Sequence, residues 1–397
     1  MNAPHIKTDV TIVGAGLVGM TAALSLSKIG YDVVLLDSQI QHTPDYPDDD
    51  WDQRIYAISP KNKQWLSTLD IWDLLDQSRI TPMQSMEIWG DTSTQPLQLN
   101  AEDVSADCLG FILEERLLKD AIFQCIQSTN IHLVVGQCVT IQATELGTVV
   151  KLQNDQTIES TLLLAADGAN SWVRQQLDIG LQHKDYEQTA IVANFTIQKP
   201  HANVARQWFT QDAERNSAVL AWLPLANNKV SIVWSAPVAQ AERLLKLSFE
   251  ALTHEVVQAG GNALGDMTII GEPASFPLSL KVAEKTVMKS VVFIGDAAHR
   301  VHPMAGQGVN LGFRDVIDLL HLLENKHVYQ PINDAALLKQ YARIRKADVL
   351  NMVTLTSGLY HLFENPYPII KTVRNWGLAA TNQHMLKKML ITKAIAL

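Results

Sequence analysis

Gly14-Ala15-Gly16-Leu17-Val18-Gly19 spells G-x-G-x-x-G, and Asp37 stands 23 residues after Gly14. Each residue type has a physical task at that spacing. Gly14 permits a tight turn, Gly16 lets backbone N–H groups approach a pyrophosphate, and Gly19 allows a helix to pack closely on a strand. A helix N-terminus opening there favours the diphosphate charge. Asp37, followed by Ser38, is placed to accept hydrogen bonds from ribose hydroxyls, and an acid there favours a free 2′-OH. FAD and NAD both meet these requirements, and NADP does not.

Two further segments carry polar residues among glycines. Ala166-Asp167-Gly168-Ala169-Asn170-Ser171-Trp172-Val173-Arg174 is one. The other runs from Gly295-Asp296 through His299, His302, Pro303 and Gly306 to Gly308-Val309-Asn310. An acid at the end of a strand, followed by a Pro/Gly loop whose amides open a helix, suits a polyhydroxy chain on Asp296 and an electron-rich ring edge on the loop amides. A simple βα crossover with a convenient aspartate explains the strand and the acid but not Gly306 and Gly308 beside Pro303. His299 and His302, three apart with Pro303 adjacent and no carboxylate cluster, do not make a metal site.

The elements that must hold these residues can be read from periodicity. Val10–Val13, the turn 14–19, a helix from Leu17 to Ile29 ended by Gly30, and Val33–Leu36 form one βαβ unit. Helices are expected over Asn62–Leu69 and Glu115–Ile126, with short strands Met86–Trp89 and Leu97–Leu99 between them. Ile131–Val135, Gln137–Gln142, Thr148–Leu152 and Thr161–Ala165 read as strands leading to Asp167-Gly168. Residues 186–280 read as a separate β-rich region, with strands Ile191–Gln198, Gln207–Phe209, Ser217–Pro224 and Lys229–Trp234. A strand Val291–Ile294 and a long helix from about Gly308 to Leu323 follow, and the chain past 335 reads as mainly helical.

Composition bounds the function. The 397 residues suggest two or three domains, and 47% hydrophobic with 18% charged residues is an ordinary globular balance. A net charge of −9 argues against a general affinity for nucleic acid. Cys108, Cys125 and Cys138 form no CxxC, so neither a zinc site nor a disulfide framework is expected, and a reducing, cytoplasmic setting is the simplest reading. No apolar run reaches the ~18 to 20 residues of a spanning helix. Charge is uneven: after Glu364 come Lys371, Arg374, Lys387, Lys388 and Lys393 and no acid. With Met385, Leu386, Met389, Leu390, Ile395 and Leu397, that tail reads as a surface helix or as a peripheral contact with a membrane or partner.

Taken together, the three segments resemble the single-component class A flavoprotein aromatic hydroxylases, and within them the ubiquinone-biosynthesis hydroxylase family. The resemblance is carried by Arg54-Ile55-Tyr56-Ala57-Ile58-Ser59, Leu109-Gly110-Phe111-Ile112-Leu113-Glu114-Glu115, Tyr186-Glu187-Gln188, Leu223-Pro224-Leu225, Val233-Trp234, Phe276-Pro277-Leu278 and the run 295–315, covering most of residues 8–350 in order. It implies an α/β fold, with a para-hydroxybenzoate-hydroxylase-like FAD-binding Rossmann-type domain (1–72, 102–182, 281–350), an inserted β-rich substrate domain (73–101, 183–280) and a helical C-terminal segment (351–397).

The resemblance implies FAD as cofactor, NADH or NADPH as co-substrate, and a reaction that consumes O2 to hydroxylate a phenolic ring, here of a polyprenylated aromatic. Gly14, Gly16, Leu17, Val18, Gly19, Asp37 and Ser38 would hold the adenosine diphosphate, with Val139 alongside. Asp167 and Gly168 would lie near both FAD and the docking nicotinamide. Gly295 and Asp296 would hold the ribityl hydroxyls. Arg54, Ala57, Pro303, Gly306, Gly308, Val309 and Asn310 would surround the ring or pyrophosphate, with His302 and Pro303 on the substrate side. The family often has Asn, Gln or Arg facing the flavin where this chain has Glu115; Glu115 is counted among the cofactor-binding residues, and the alternative is a carboxylate that points away with Arg116 substituting. Tyr186, Trp208 and Trp222 are candidates for an aromatic substrate pocket, and sheet core is the equal alternative. A non-hydroxylating flavin oxidoreductase of the same fold, or a flavin-bearing subunit of a larger complex, remains open on sequence alone; the W-x-W-x-I-P segment of flavin halogenases is absent.

Overall fold

In a computed structural model of the chain, the described residues are 5–40, 47, 49–90, 96–211, 217–301, 307–364, 388 and 391. Five parallel strands, Val291–Phe293, Thr157–Ala165, His5–Val13, Val33–Asp37 and His132–Val135, lie side by side in that order. Their sequences are near-continuous apolar runs because both faces are covered. Val10, Ile12, Leu35, Leu164 and Val292 point to one core, shared with the helices Leu17–Lys28, Glu115–Gln127 and Gly308–Glu324. Val13, Val34, Leu36, Leu163 and Phe293, one residue out of phase, point to the other. The period of two therefore sorts every strand residue to a side, and each fully buried aliphatic contributes about 1.5–3 kcal/mol.

An antiparallel hairpin, Cys138–Ala143 and Thr148–Leu152, leans on the first half of Thr157–Ala165. A three-stranded sheet of Ile55–Ile58, Gly110–Glu114 and Thr81–Met83 sits beside the parallel unit.

The second large sheet has eight strands, in the order His299–Arg300, Met267–Ala283, Leu181–Ile197, Lys229–Pro237, Ser217–Leu225, Val204–Gln211, Ser85–Trp89 and Leu97–Asn100. Its two longest strands have 17 residues each. One face is covered by the helices Val238–Leu245 and Phe249–Ala259, and Phe195, Leu220, Trp222, Trp234, Leu244, Leu252 and Val256 fill the space between. The region 186–280 is β-rich and also holds these two helices, the second started by Ser248, whose side chain accepts from the Ala251 amide.

The opposite face turns to the parallel unit. Leu225 packs with Trp51 and Ile112, while Leu280 and Val282 pack against Val301, Leu311 and Val349. The Asn194 amide donates to the Asp52 carbonyl at 2.9 Å. A correction concerns the boundary expected at 350. The last long helix, Ala335–Glu364, runs straight through it, because Tyr341, Arg345, Val349 and Met352 form one continuous buried stripe at helical spacing.

Candidate functional site

Phe293, Ala165, Val13 and Leu36 stand in one row across the parallel strands. The residues that follow them are Ile294 to Asp296, Ala166 to Gly168, Gly14 to Gly19, and Asp37. All three glycine-bearing segments therefore leave the sheet at its carboxyl edge, where ligands bind in open α/β folds.

Close packing makes the glycines at the first turn necessary. Gly14 has φ +111°, and a Cβ there would collide with the carbonyl of Ala166; a Cβ on Gly19 would collide with the Gly14 carbonyl. Gly16 faces open space, leaving room for a ligand against its backbone. Asp37 Oδ2 accepts from the Ala15 amide at 2.6 Å, and its Oδ1 accepts from the Gln39 amide and the Ser38 hydroxyl. The carboxylate is fixed over the turn by protein donors, and Ser38 acts as one of them. Leu17 is buried in the core, so it contributes backbone here, and Val18 packs on Gly295 and Gly312. Val139 is exposed on its strand. Its neighbour Cys138 lies close to Asp167 and Asp37, and burial followed by those two charges pushes its thiol up to about 12.

A buried arginine joins the second segment to the third. Arg174 Nη1 donates to the Ala297 carbonyl at 2.8 Å, and Nη2 to Ala169 at 2.9 Å. Ser171 caps the short helix that carries it. Asp167 Oδ2 accepts from the Val173 amide at 3.0 Å, while its Oδ1 is buried with no partner. Burial raises the Asp167 pKa, against the pull of Ser171 and the neighbouring amides. An unsatisfied buried carboxylate oxygen is costly unless a ligand donates to it. Gly168 has φ +82° and open space at its Cβ position.

Asp296 lies on the turn Gly295–Ala297 and is open to solvent, yet protein surrounds it closely enough to raise its pKa, against His299, Arg300 and Arg54. It is a reachable carboxylate at the carboxyl edge of the sheet, suited to accept from hydroxyl groups. Gly308 faces open space at the N-terminus of a 17-residue helix. Val309 is buried behind it. Asn310 has its side chain fully engaged within the protein: Oδ1 accepts from the Ser59 amide at 3.0 Å and Asn62 Nδ2 at 2.8 Å, and Nδ2 donates to the Ala57 carbonyl at 2.7 Å. It clamps the strand Ile55–Ile58 to the helix. Ala57 takes part through that carbonyl.

Glu115 and Arg116 are held by different partners. Arg54 Nη1 pairs with Glu115 Oε2 at 3.0 Å, and the Tyr56 hydroxyl donates to the same oxygen at 3.3 Å. Burial, then the Glu115 charge, pushes the Tyr56 phenol up, so it stays a donor. Arg116 instead bonds Asp50 and Glu114, and its amide reaches Asp52. The guanidinium of Arg54 offsets the Glu115 charge, while Arg116 is held by other acids.

The tryptophans are corrected. Trp208 and Trp222 belong to the sheet face under the two helices, with Trp208 stacked on Trp89 and edge-on to Trp222. Trp222 fills the space over Gly260, where a Cβ would strike its ring. Neither faces the parallel unit. Tyr186 does share the opposite face, packed with Ala190, Leu278 and Phe276. Val192, Val233 and Phe276 on that face were not foreseen, although their alternation with Ile191, Ile232 and Trp234 was a readable signal. Also unforeseen were Arg174, Gly312, Asp315 and Arg345. His302, Pro303 and Gly306 lie outside the described residues, as does most of the basic tail.

Comparison with known proteins agrees with this geometry. A family model described as an FAD binding domain matches residues 7–47 and 112–356. The chain is 32% identical over 394 residues to the 3-demethoxyubiquinol 3-hydroxylase of Escherichia coli, covering 98% of this chain and 99% of that protein. It is 31% identical to the ubiquinone hydroxylase UbiL of Rhodospirillum rubrum, covering 94% and 86%. Among solved structures, the p-nitrophenol 4-monooxygenase of Pseudomonas putida superposes with a TM-score of 0.78 at 16% identity, covering 99% of this chain and 98% of that one. PqsL of Pseudomonas aeruginosa gives 0.76 at 19% identity, covering 94% of this chain and all of that one. The Gly16 opening, the orphaned Asp167 oxygen and the reachable Asp296 fit FAD.

Proposed function

Because the chain belongs to the FAD-binding ubiquinone-biosynthesis hydroxylases, we propose that it hydroxylates the aromatic ring of a polyprenylated phenol. The balance is ring C–H, O2, NAD(P)H and a proton going to ring C–OH, NAD(P)+ and water. Bound FAD supplies the redox chemistry, taking hydride from NAD(P)H and activating O2. The side chains bind, orient and exclude water.

In this reading the turn 14–19 and Asp37 hold the adenosine diphosphate, Asp167 and Gly168 line the approach to it, and Asp296 accepts from the ribityl hydroxyls. Arg54, Glu115 and Tyr56 form a neutralised edge beside the ring. The sheet face bearing Tyr186, Val192, Val233 and Phe276 offers an apolar wall to an aromatic substrate.

The observation that carries the proposal is the gathering of three distant segments at one carboxyl sheet edge, joined by Arg174 to Ala297. The test is substrate-stimulated NAD(P)H oxidation by the FAD-loaded protein under 18O2, with mass spectrometry of the quinone precursor. One 18O atom in the ring product is expected. NAD(P)H oxidation that yields only hydrogen peroxide with every precursor would refute it.

Among the described residues no helix is long and apolar enough to cross a membrane. A peripheral contact through the basic tail suits a lipid-dissolved substrate. Deleting residues 380–397 should then reduce liposome binding and leave FAD bound; unchanged liposome binding would discard that contact.

A further inference from the structure

A deeply buried charged cluster lies behind the Asp296 turn. Asp315 is 1% exposed, on the helix Gly308–Glu324. Its Oδ2 accepts from the Gly295 amide at 2.7 Å and from His299 Nε2 at 2.7 Å. Its Oδ1 accepts from Arg345 Nε at 2.6 Å. Arg345, 1% exposed, reaches across from the last long helix and also pairs with Asp318 at 2.6 Å and Asp348 at 2.8 Å. Arg314 pairs with Asp348 on the far side of the cluster, at 3.2 Å.

One carboxylate thus holds both ends of the five-residue stretch 295–299, whose exposed member is Asp296. The backbone of Gly295 is left-handed, φ +58°, and the absence of a side chain on Gly312 lets the helix come against it. Glycine takes that conformation without strain but is equally free to leave it, so the contacts around the turn are what fix its shape. Burying two full charges is expensive, and replacing such a pair with apolar packing is often neutral for stability. Its placement behind the turn therefore calls for a role besides stability.

We infer that Asp315 is a positioning residue for FAD: buttressed by Arg345, it sets the Gly295–His299 turn so that Asp296 meets the ribityl hydroxyls. The inference rests on the assignment of Asp296 to FAD.

The experiment titrates full-length apoprotein with FAD, following flavin fluorescence below every variant's melting temperature. Asp296→Ala reports on the assignment itself, and an unchanged Kd there refutes it, whatever Asp315 does. With Asp296→Ala weakened, Asp315→Asn and His299→Leu are expected to weaken FAD at least tenfold and to alter the fine structure of the bound flavin's visible band. His299→Gln keeps an N–H toward Asp315 and should restore most of the affinity. Arg314→Met, in the same cluster without a bond to the turn, should lower the melting temperature and leave the Kd within twofold. Wild-type affinity in His299→Leu, or an equal loss in Arg314→Met, would overturn the inference. If Asp315→Asn does not fold, the histidine pair and Arg314→Met decide the matter alone.

Discussion

The guanidinium of Arg174 lies 2.8 Å from the carbonyl of Ala297, a residue 123 positions later in the chain. This bond and its companion to Ala169 place the Asp167 segment against the Asp296 segment. Arg174→Met should therefore act on both at once. The buried Ala297 carbonyl loses a charged donor, at about 1–3 kcal/mol, and the part-buried Ala169 carbonyl loses one at a smaller cost. Chemical denaturation of the apoprotein should show the loss, and FAD affinity should fall with it. Wild-type FAD affinity in the variant would detach Arg174 from the cofactor.

Asp296 carries a prediction with a definite sign. Burial raises its folded pKa above the ordinary carboxylate value. A raised carboxyl contributes stability below its unfolded pKa and loses it as pH rises through the folded one. Asp296→Asn apoprotein should accordingly melt higher than wild type at neutral pH, with the gain vanishing toward pH 3. The same variant should bind FAD about tenfold more weakly or worse, since hydrogen bonds to a charged acceptor are lost. Melting curves across pH and a flavin titration test the two halves separately.

Asp315 has the opposite sign. Burial opposes its charge, but His299 and Arg345 prevail and hold its pKa below the ordinary carboxylate value. Its contribution is present above the ordinary carboxylate range and is lost as pH falls through the depressed value. Asp315→Asn should cost about 3–5 kcal/mol at neutral pH, the usual effect of removing one partner of a buried pair. Its denaturation midpoint should also fall less steeply on acidification than that of wild type.

Trp222→Leu and Val233→Ala separate the two faces of the second sheet. Trp222 sits 1% exposed in the core beneath the helices, so its loss should destabilise the protein by about 3–5 kcal/mol and leave KM for the aromatic substrate within twofold. Val233→Ala, on the face toward the parallel unit, should raise KM with a smaller loss of stability. The reverse pattern would place the substrate on the helix-covered side.

Glu115→Gln tests the ion pair with Arg54. Arg54 is 73% exposed, so the pair itself adds little to stability, and the melting temperature should shift by no more than a degree or two. The local charge changes by one unit, which should move the reduction potential of the bound flavin upward. Redox titration measures that shift, and an unmoved potential would place the pair away from the ring.

The parts of the site that were legible in the sequence are those whose chemistry is local. Gly14, Gly16 and Gly19 announce a turn because only glycine fits, and Asp37 ends a strand whose apolar run is unmistakable. Arg174, Asp315 and Arg345 have no such signature. The partners that tie them to the site lie 123, 16 and 30 residues away in the chain, so the residues beside them do not show what they bind. The strand Met267–Ala283 was missed for another reason: Gly271, Pro273 and Pro277 interrupt its alternation, and it shifts register against Leu181–Ile197 at two places. The tryptophans misled because aromatic content alone does not say which face of a sheet is covered; the helices Val238–Leu245 and Phe249–Ala259 decide that.

The Asn310 clamp sets an order of events during synthesis. It fastens Ala57, Ser59 and Asn62 to a helix that emerges from the ribosome some 250 residues later. The dinucleotide turn can form early, as a local unit with its two strands. The middle strand Thr157–Ala165 must then be threaded in beside it, and the turn bearing Asp296 is still missing when seven of the eight strands of the second sheet, through Ala283, have been translated. A nascent chain therefore stays without a complete cofactor cleft until three-quarters of it has been made. Cofactor capture falls at the close of translation, and a ribosome stalled before Gly308 releases a polypeptide with no finished place for flavin.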